Sequence, residues 1–241
     1  MTKDLFNLNV EEMTQAGLGT GHRVSRLHPR MKPYVSGIKS GVHTFDLEKT
    51  AEKFSEALNF IKNLISDGKI LLIVGTKIPS RDLVRIAGDE TNLPIVNNRW
   101  LGGIFTNFET ISKRVNYYKQ LLKDKQSGAL EKYTKKERLL LDKKIESLKT
   151  KFDGIKEMSK LPEAVLVLDM KKDLIAAKEA RKKGVKIIAV CDTNIDPNQA
   201  DYMIPANDDA ISSIKYILEK VKNTAIEAKK DFESKQVQKS Q

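Results

Sequence analysis

The chain is poor in the residues that form disulfides and bind zinc, since its 241 residues include one cysteine and three histidines. The single cysteine, Cys191, excludes an internal disulfide and fits a reducing compartment. With so few sulfur and imidazole ligands no zinc-binding spacing exists, and we predict no metal site. No apolar run approaches the roughly 18 residues of a membrane-spanning helix, so we expect no membrane partner. The first residues lack a charged-then-apolar signal sequence, and we expect a cytoplasmic protein.

Sequence motifs of catalysis are also missing. The chain has no phosphate-loop spacing, no dinucleotide-binding Gly-x-Gly-x-x-Gly and no Gly-x-Ser-x-Gly nucleophile elbow. Asp169 and Asp192 follow predicted strands, where two acids could hold magnesium for phosphoryl transfer, but no Asp-x-Asp pair accompanies them. Asp192 and Asn194 better fit turn caps that bond to backbone amides. We therefore predict a protein that is not an enzyme and has no cofactor, with a nucleotide-binding or phosphoryl-transfer α/β enzyme as the alternative.

Acidic residues are absent from one long stretch of this basic chain. The formal net charge of +11 and the pI near 9.5 indicate a polyanionic partner, with nucleic acid ahead of a membrane surface. No acid occurs between Glu12 and Asp46. The cations of this stretch are Arg23, Arg26, Arg30, Lys32 and Lys39. Residues 21–34 show neither helical nor strand periodicity, and we predict an irregular loop there.

This basic loop, defined here as residues 21–39, has the side chains that contact RNA in other proteins. Arginine's planar guanidinium group suits phosphate oxygens, and His22, His28 and Tyr34 could stack on unpaired bases. A cationic loop that is merely solvated is the other interpretation. The positive charge over some thirty residues without a single acid favours phosphate contact.

Apolar strands alternate with amphipathic helices over most of the chain. The predicted strands are 42–47, 70–74, 94–96, 164–168, 186–190 and 202–204. The predicted helices are 10–16, 48–65, 79–87, 173–183 and 208–228. This alternation predicts an α/β fold with a doubly wound, mainly parallel sheet. Residues 229–241 are polar and lysine-rich, and we predict a flexible tail.

Between the two halves of this body, apolar residues recur at alternating spacings of three and four. The two series are Leu101, Ile104, Phe108, Ile111, Val115, Tyr118 and Leu122, then Leu141, Ile145, Leu148, Phe152 and Ile155. They predict an inserted antiparallel coiled-coil helical hairpin over residues 104–157, turning near 126–128, with the body formed by 1–103 and 158–228. We expect Trp100 to anchor the hairpin root in the core. The lysine-rich exterior is a secondary contact candidate, and a stand-alone coiled-coil adaptor is a third possible function.

Five stretches, in one order, carry a resemblance to a known family. They are residues 21–33; Asp46-Leu47-Glu48-Lys49-Thr50; Val74-Gly75-Thr76-Lys77; Asn98-Arg99-Trp100-Leu101-Gly102-Gly103 with Thr106-Asn107; and Leu161-Pro162-Glu163-Ala164 followed by Asp192-Thr193-Asn194-x-Asp196-Pro197 and Ile204-Pro205-x-Asn207-Asp208-Asp209-Ala210. The chain resembles the bacterial family of small-subunit ribosomal protein two, from before Gly17 to about Ala228. Gly19 departs from the histidine of many members, Phe108 departs from a common tryptophan, and the family's acidic tail is missing.

The resemblance implies a structural constituent of the small ribosomal subunit, on the solvent side where head meets body. It implies binding to small-subunit rRNA and to other small-subunit proteins, with support for docking of ribosomal protein one, and no homo-oligomer. Carried onto this chain, the predicted rRNA-binding residues are His22, Arg23, Arg26, Arg30, Lys32, Lys39, Lys77, Arg81 and Arg99. Recognition of folded rRNA by shape needs no base-specific readout.

Overall fold

Two sheets organise the protein, whose computed structural model describes residues 6–239, with side chains described as far as Lys235. The strands are β1 (Thr20–Arg23), β2 (Val35–Lys39), β3 (Val42–Phe45), β4 (Leu71–Val74), β5 (Ile95–Val96), β6 (Ala164–Val167), β7 (Lys186–Cys191) and β8 (Tyr202–Pro205). The helices are α1 (Val10–Gln15), α2 (Leu47–Ser66), α3 (Ile78–Thr91), α4 (Phe108–Gln126), α5 (Lys135–Phe152), α6 (Leu174–Lys183) and α7 (Ile211–Lys239). None of the described helices has the length and apolar content to span a membrane.

The larger sheet is parallel, with strand order β5-β4-β6-β7-β8. Its central strands β4 and β6 are buried at every position. Successive side chains point to opposite faces, so Leu71 and Ile73 join one apolar cluster while Leu72 and Val74 join another. Residues of α2, α3 and α7 belong to the first cluster, and residues of α4, α5 and α6 to the second. The prediction of a mixed α/β fold with a parallel sheet is confirmed.

A second, antiparallel sheet has the strand order β1-β3-β2. The irregular loop predicted for residues 21–34 was wrong at residues 21–23, which belong to β1, whereas 3-10 turns occupy Val24–Arg26 and Pro29–Tyr34. Ser40 and Gly41 connect β2 to β3 with φ angles of 51° and 78°. Two positive φ values are the signature of the two-residue turn that matches strand twist. The basic loop is therefore built partly on a small sheet.

Helices α4 and α5 lie between β5 and β6 in the chain. α4 begins at Phe108, so Leu101 and Ile104 of the predicted apolar series lie in the turns before the helix rather than on it. The turn after α4 contains Ser127 and Gly128, the latter with φ +73°. α5 starts with a capping box in which the Thr134 and Glu137 side chains each bond to the other's backbone amide.

The Glu179 carboxylate on α6 receives hydrogen bonds from the segment that leads into α4. Oε1 accepts from the Gly103 amide at 2.8 Å and from the Trp100 indole at 3.4 Å. Oε2 accepts from the amides of Phe105 and Thr106 at 3.1 and 3.2 Å, and from the Thr106 hydroxyl at 3.1 Å. Burial opposes ionisation, but these donors lower the pKa of Glu179. Trp100, only 7% exposed, packs edge-on to Phe105, which fits its expected anchoring role.

Helix α7 continues beyond the point where a flexible tail was predicted. Residues 229–239 are helical, which differs from the expected tail, and residues 240–241 lie outside the described residues. The Phe232 ring lies over Gly68, so close that a Cβ at position 68 would meet the ring. Lys229 Nζ donates to the Thr91 carbonyl at 2.6 Å. These contacts with the body stabilise the end of α7, where composition alone indicated a flexible tail.

We predict that Glu179→Gln lowers the free energy of unfolding at pH 7 by about 2 kcal/mol. The neutral amide group of glutamine replaces a charged carboxylate, and its NH2 donates hydrogen bonds where the carboxylate oxygen accepted them. The pKa of Glu179 is lowered on folding, so its contribution is present above the ordinary glutamate pKa of about 4.3 and is lost as the pH falls through the folded value. Urea denaturation should therefore show a gap between the two proteins at pH 7 that narrows at about pH 3. Glu227→Gln, at an exposed position of α7, is the matched control. A gap that does not depend on pH would contradict the assigned role.

Candidate nucleic-acid interface

The basic loop is held against the end of the parallel sheet by the turn that follows β7. The His28 amide donates to the Thr193 carbonyl at 2.8 Å, and the His22 amide donates to Thr193 Oγ1 at 3.0 Å. Met31 is fully buried in the apolar cluster of α4, α5 and α6. At Gly21 a Cβ would come within 2.6 Å of the Thr193 methyl group, so this close approach requires glycine. The loop is therefore fixed in place before any partner binds.

Four cations of this fixed loop point into solvent. Arg23, Arg26, Lys32 and Lys39 are all exposed. Among the ion pairs formed by the described residues, none involves any of these four side chains. Arg23 and Arg26 line a groove of about 560 Å³ with Thr20, Gly21 and Val42. An exposed, unpaired guanidinium keeps all its donors free for phosphate oxygens.

The other predicted cations are partly engaged with the chain itself. Arg30 Nη1 lies 2.6 Å from Asp196 Oδ2, although the Arg30 side chain stays 58% exposed. The half-buried Arg81 donates to two carbonyls, from Nε to Thr76 at 3.0 Å and from Nη2 to Asn98 at 3.4 Å. Arg99 is exposed and lines a different groove, of about 1030 Å³, beside the end of α5. The predicted residues thus do not form one continuous surface.

Lys77 lies at the carboxyl edge of the parallel sheet, among three carboxylates. Its Nζ is 2.9 Å from Asp169 Oδ2, 2.9 Å from Asp208 Oδ1 and 2.6 Å from Asp209 Oδ1. Burial alone would lower the pKa of Lys77, but the three acids raise it. Burial, reinforced by Asp169, raises the pKa of Asp208 to about 7. Lys77 is therefore fully charged, and its ammonium group forms ion pairs with carboxylates of its own chain. Its assignment to rRNA binding stays a prediction.

His22 meets two acids that are distant in sequence. His22 Nδ1 is 3.0 Å from Asp192 Oδ1, and His22 Nε2 is 3.6 Å from Asp209 Oδ2. One ligand atom from each residue lies within 4.8 Å of the others, and an imidazole with two carboxylates is a donor set that divalent cations accept. The same contacts also suit a protonated imidazole, because the hydrogen bond with Asp192 raises the pKa of His22. Short-range spacing in the sequence could not reveal this grouping, and the prediction of no metal site stays a prediction.

The acids considered for catalysis are bonded to neighbouring groups. Asp192 Oδ1 accepts from the Thr193 amide at 2.5 Å and from its hydroxyl at 3.0 Å, and its role as a turn cap stays a prediction. Asp169 Oδ1 accepts from the Lys172 amide at 2.7 Å, while its other oxygen contacts Lys77. The predicted cap at Asn194 was wrong, because its Oδ1 is buried without a hydrogen-bond partner among the described residues.

Exposed isoleucines surround the same edge of the sheet. Ile78, Ile175 and Ile211 are 81%, 60% and 60% exposed, and they lie in the first turns of α3, α6 and α7. These helices follow β4, β6 and β8, whose carboxyl ends lie at one edge because the strands are parallel. Local sequence patterns do not show this surface, because its three helices are distant in the chain and come together only in the fold. Exposed apolar side chains at one end of a sheet are candidates for a protein contact.

Comparisons with known proteins agree with the resemblance found in the sequence. The family model described as Ribosomal protein S2 matches residues 13–228. The small ribosomal subunit protein uS2 of Francisella tularensis subsp. novicida (strain U112) is 42% identical over 219 residues, which cover 91% of this chain and 92% of that protein. The uS2 proteins of F. tularensis subsp. tularensis (strain WY96-3418) and subsp. holarctica (strain LVS) match with the same identity and coverage.

We predict that Lys77→Met lowers the free energy of unfolding by about 2 kcal/mol, because it leaves three clustered carboxylates without their cation. Arg26→Met is the matched control, and we expect it to change stability by less than about 0.5 kcal/mol, since Arg26 is exposed and unpaired among the described residues. Urea denaturation of both variants at pH 7.5 measures the difference. Equal stability of Lys77→Met and the parent protein would show that the ammonium group is not structural.

Proposed function

The chain belongs to the ribosomal protein S2 family, a family of structural and non-enzymatic proteins of the small ribosomal subunit, and we propose that it binds small-subunit rRNA mainly through the basic loop. The family membership agrees with the expectation that the chain is not an enzyme. The proposed mechanism is placement, in which Arg and Lys side chains neutralise rRNA phosphates while the α/β body holds them in register. A constituent of this kind acts in the cytoplasm as one copy in the particle, not as a homo-oligomer.

The exposed and unpaired cations of the basic loop are the observation that carries this proposal. The backbone that carries Arg23, Arg26 and Lys32 needs no further ordering, because the loop is already bonded to Thr193 and buried at Met31. Cations on a fixed backbone suit a folded RNA whose phosphates are also fixed. Arg30 can add a contact through its exposed guanidinium. Arg99 lies in another groove and would contact a separate part of the RNA.

The remaining candidates have smaller roles in this proposal. Lys77 and Arg81 bond chiefly to carboxylates and carbonyls of the chain, so they would shape the surface more than contact phosphate. His22 is bonded to Asp192, and its ring would contact RNA only at its exposed edge. These differences in bonding rank the candidates by their expected contribution to rRNA binding, and all of them remain candidates.

We also propose that α4 and α5 form the inserted antiparallel coiled coil of residues 104–157. Two ion pairs join α4 to α5 and the segment after it, Lys125 with Asp142 at 2.7 Å and Lys119 with Glu157 at 3.1 Å. The later residue of α4 pairs with the earlier residue of the second segment, so the two segments are antiparallel. All twelve side chains of the two predicted apolar series belong to a single apolar cluster. The body would then consist of residues 1–103 and 158–228.

The carboxyl edge of the sheet supports a second contact, with a neighbouring protein of the subunit. Ile78, Ile175 and Ile211 would pack against an apolar segment, and Asp209, 59% exposed, would attract its cationic side chains. We propose that this surface supports docking of ribosomal protein one. It lies next to the basic loop, because His22 contacts Asp209.

The double variant Arg23→Glu with Arg26→Glu tests the rRNA contact. We expect its occupancy in purified small subunits to fall by at least about tenfold, because reversed charges repel phosphates and each lost contact weakens binding. Its thermal unfolding should match that of the parent protein. The control reverses two exposed lysines of α7, Lys215→Glu with Lys230→Glu, and should keep normal occupancy. Quantitative mass spectrometry measures the occupancy. Normal occupancy of the arginine variant in the small subunit would contradict the proposal.

The triple variant Ile78→Ser, Ile175→Ser and Ile211→Ser tests the protein contact. We expect the chain to stay in the small subunit while ribosomal protein one falls by about tenfold, as for the loss of an apolar hot spot. Ile86→Ser is the control, since Ile86 is also exposed but lies further along α3. Quantitative mass spectrometry of purified subunits measures both proteins. Unchanged amounts of ribosomal protein one would rule out this edge as its docking surface.

A further inference from the structure

Two adjacent leucines near the start of α5 are exposed and lie outside the predicted apolar series of the hairpin. Leu139 and Leu140 of α5 are 56% and 57% exposed, and every residue from 131 to 140 is exposed. Leu141, the next residue, is half-buried in the apolar cluster, so the seam has its own leucine. Tyr117 of α4 is 39% exposed. Lys144, one turn beyond Leu140, places its Nζ 4.9 Å from the Tyr117 ring centroid and so connects the two helices.

Cations are frequent in the sequence around these two leucines, which we call the hairpin outer patch (Leu139 and Leu140). The cations are Lys132, Lys135, Lys136, Arg138, Lys143 and Lys144. Among the described residues, Lys135, Lys136, Arg138 and Lys143 form no ion pair with a carboxylate. Two of the nearby acids are engaged, Glu137 in the capping box and Asp142 with Lys125, whereas Glu131 and Glu146 form no ion pair among the described residues. The patch therefore combines an apolar centre with a rim that carries more cations than acids.

We propose that the hairpin outer patch docks an acidic segment of a neighbouring small-subunit protein that contributes apolar side chains to Leu139 and Leu140. This proposal rests on the proposed function, because it takes the small subunit as the place where the neighbour is met. Lysines alone can meet rRNA phosphates, but aliphatic leucines gain free energy only when apolar groups cover them. An apolar centre with a charged rim is the composition of a protein–protein contact. Charge complementarity with the cationic rim then requires an acidic partner segment.

Site-specific photo-crosslinking in intact subunits tests the identity of the partner. A p-benzoyl-phenylalanine in place of Lys143, one turn beyond Leu139, reports what lies against the patch. After irradiation we expect a crosslink to a segment of another small-subunit protein in which acidic residues outnumber basic ones. Adding Leu139→Ser with Leu140→Ser should reduce the yield of that crosslink by about tenfold, since truncating an interface hot spot costs ~1.4 kcal/mol, a factor of ten.

Two controls separate docking from folding and from assembly. The same crosslinker in place of Asn223, an exposed residue of α7, should give products that the leucine variant does not change. The leucine variant should keep its place in the subunit and its thermal unfolding, because both leucines are more than half exposed.

Each other outcome has a definite meaning. A crosslink to rRNA, a protein crosslink that survives the leucine substitutions, or no crosslink in subunits that contain the chain would overturn this inference and leave the proposed function standing. Absence of the parent protein from the small subunit would overturn the proposed function and, with it, the inference.

Discussion

Burial of the parallel sheet on both faces is the constraint on which the rest of the structure depends. The strands β4 and β6 place alternate side chains into two separate apolar clusters, and each cluster needs its own cover. Helices α2, α3 and α7 contribute to one cluster, while α6 and the root of the hairpin contribute to the other. The segment before α4 is part of the body, since its Trp100 and Phe105 side chains complete the second core. Glu179 fixes that root by binding the backbone of the segment before α4.

A sheet that is covered on both faces leaves its edges and connecting turns for contacts. Three surfaces follow from this arrangement. The basic loop presents unpaired cations, the carboxyl edge presents isoleucines beside acids, and the outer side of the hairpin presents leucines beside lysines. The first two surfaces adjoin each other at His22, whereas the hairpin outer patch belongs to a different part of the molecule. One small body can in this way hold several neighbours in a particle at fixed relative positions.

Periodicity and apolar content predicted the parallel sheet, its helices and the apolar series of the hairpin, because these features depend on local patterns. Contacts between residues that are distant in the chain could not be predicted from local patterns. The fold brings Asp169 and Asp208 beside Lys77, which local sequence patterns do not show. β1 was missed because its pairing with β3, and not its own alternation, makes it a strand. The helical end of α7 likewise depends on the contact of Phe232 with Gly68, which composition does not show.

The bonds between the basic loop and Thr193 have a kinetic consequence for assembly. A disordered basic segment must lose conformational entropy when it meets RNA, and that loss weakens its binding. Here the loss occurs when the chain folds, because the His28 amide and the Met31 side chain already hold the loop. In the proposed assembly, the encounter with rRNA is then a rigid docking event whose rate is set by long-range attraction between charges. The protein would then associate with rRNA faster in dilute salt than in concentrated salt, and the backbone of its contact surface would already be ordered.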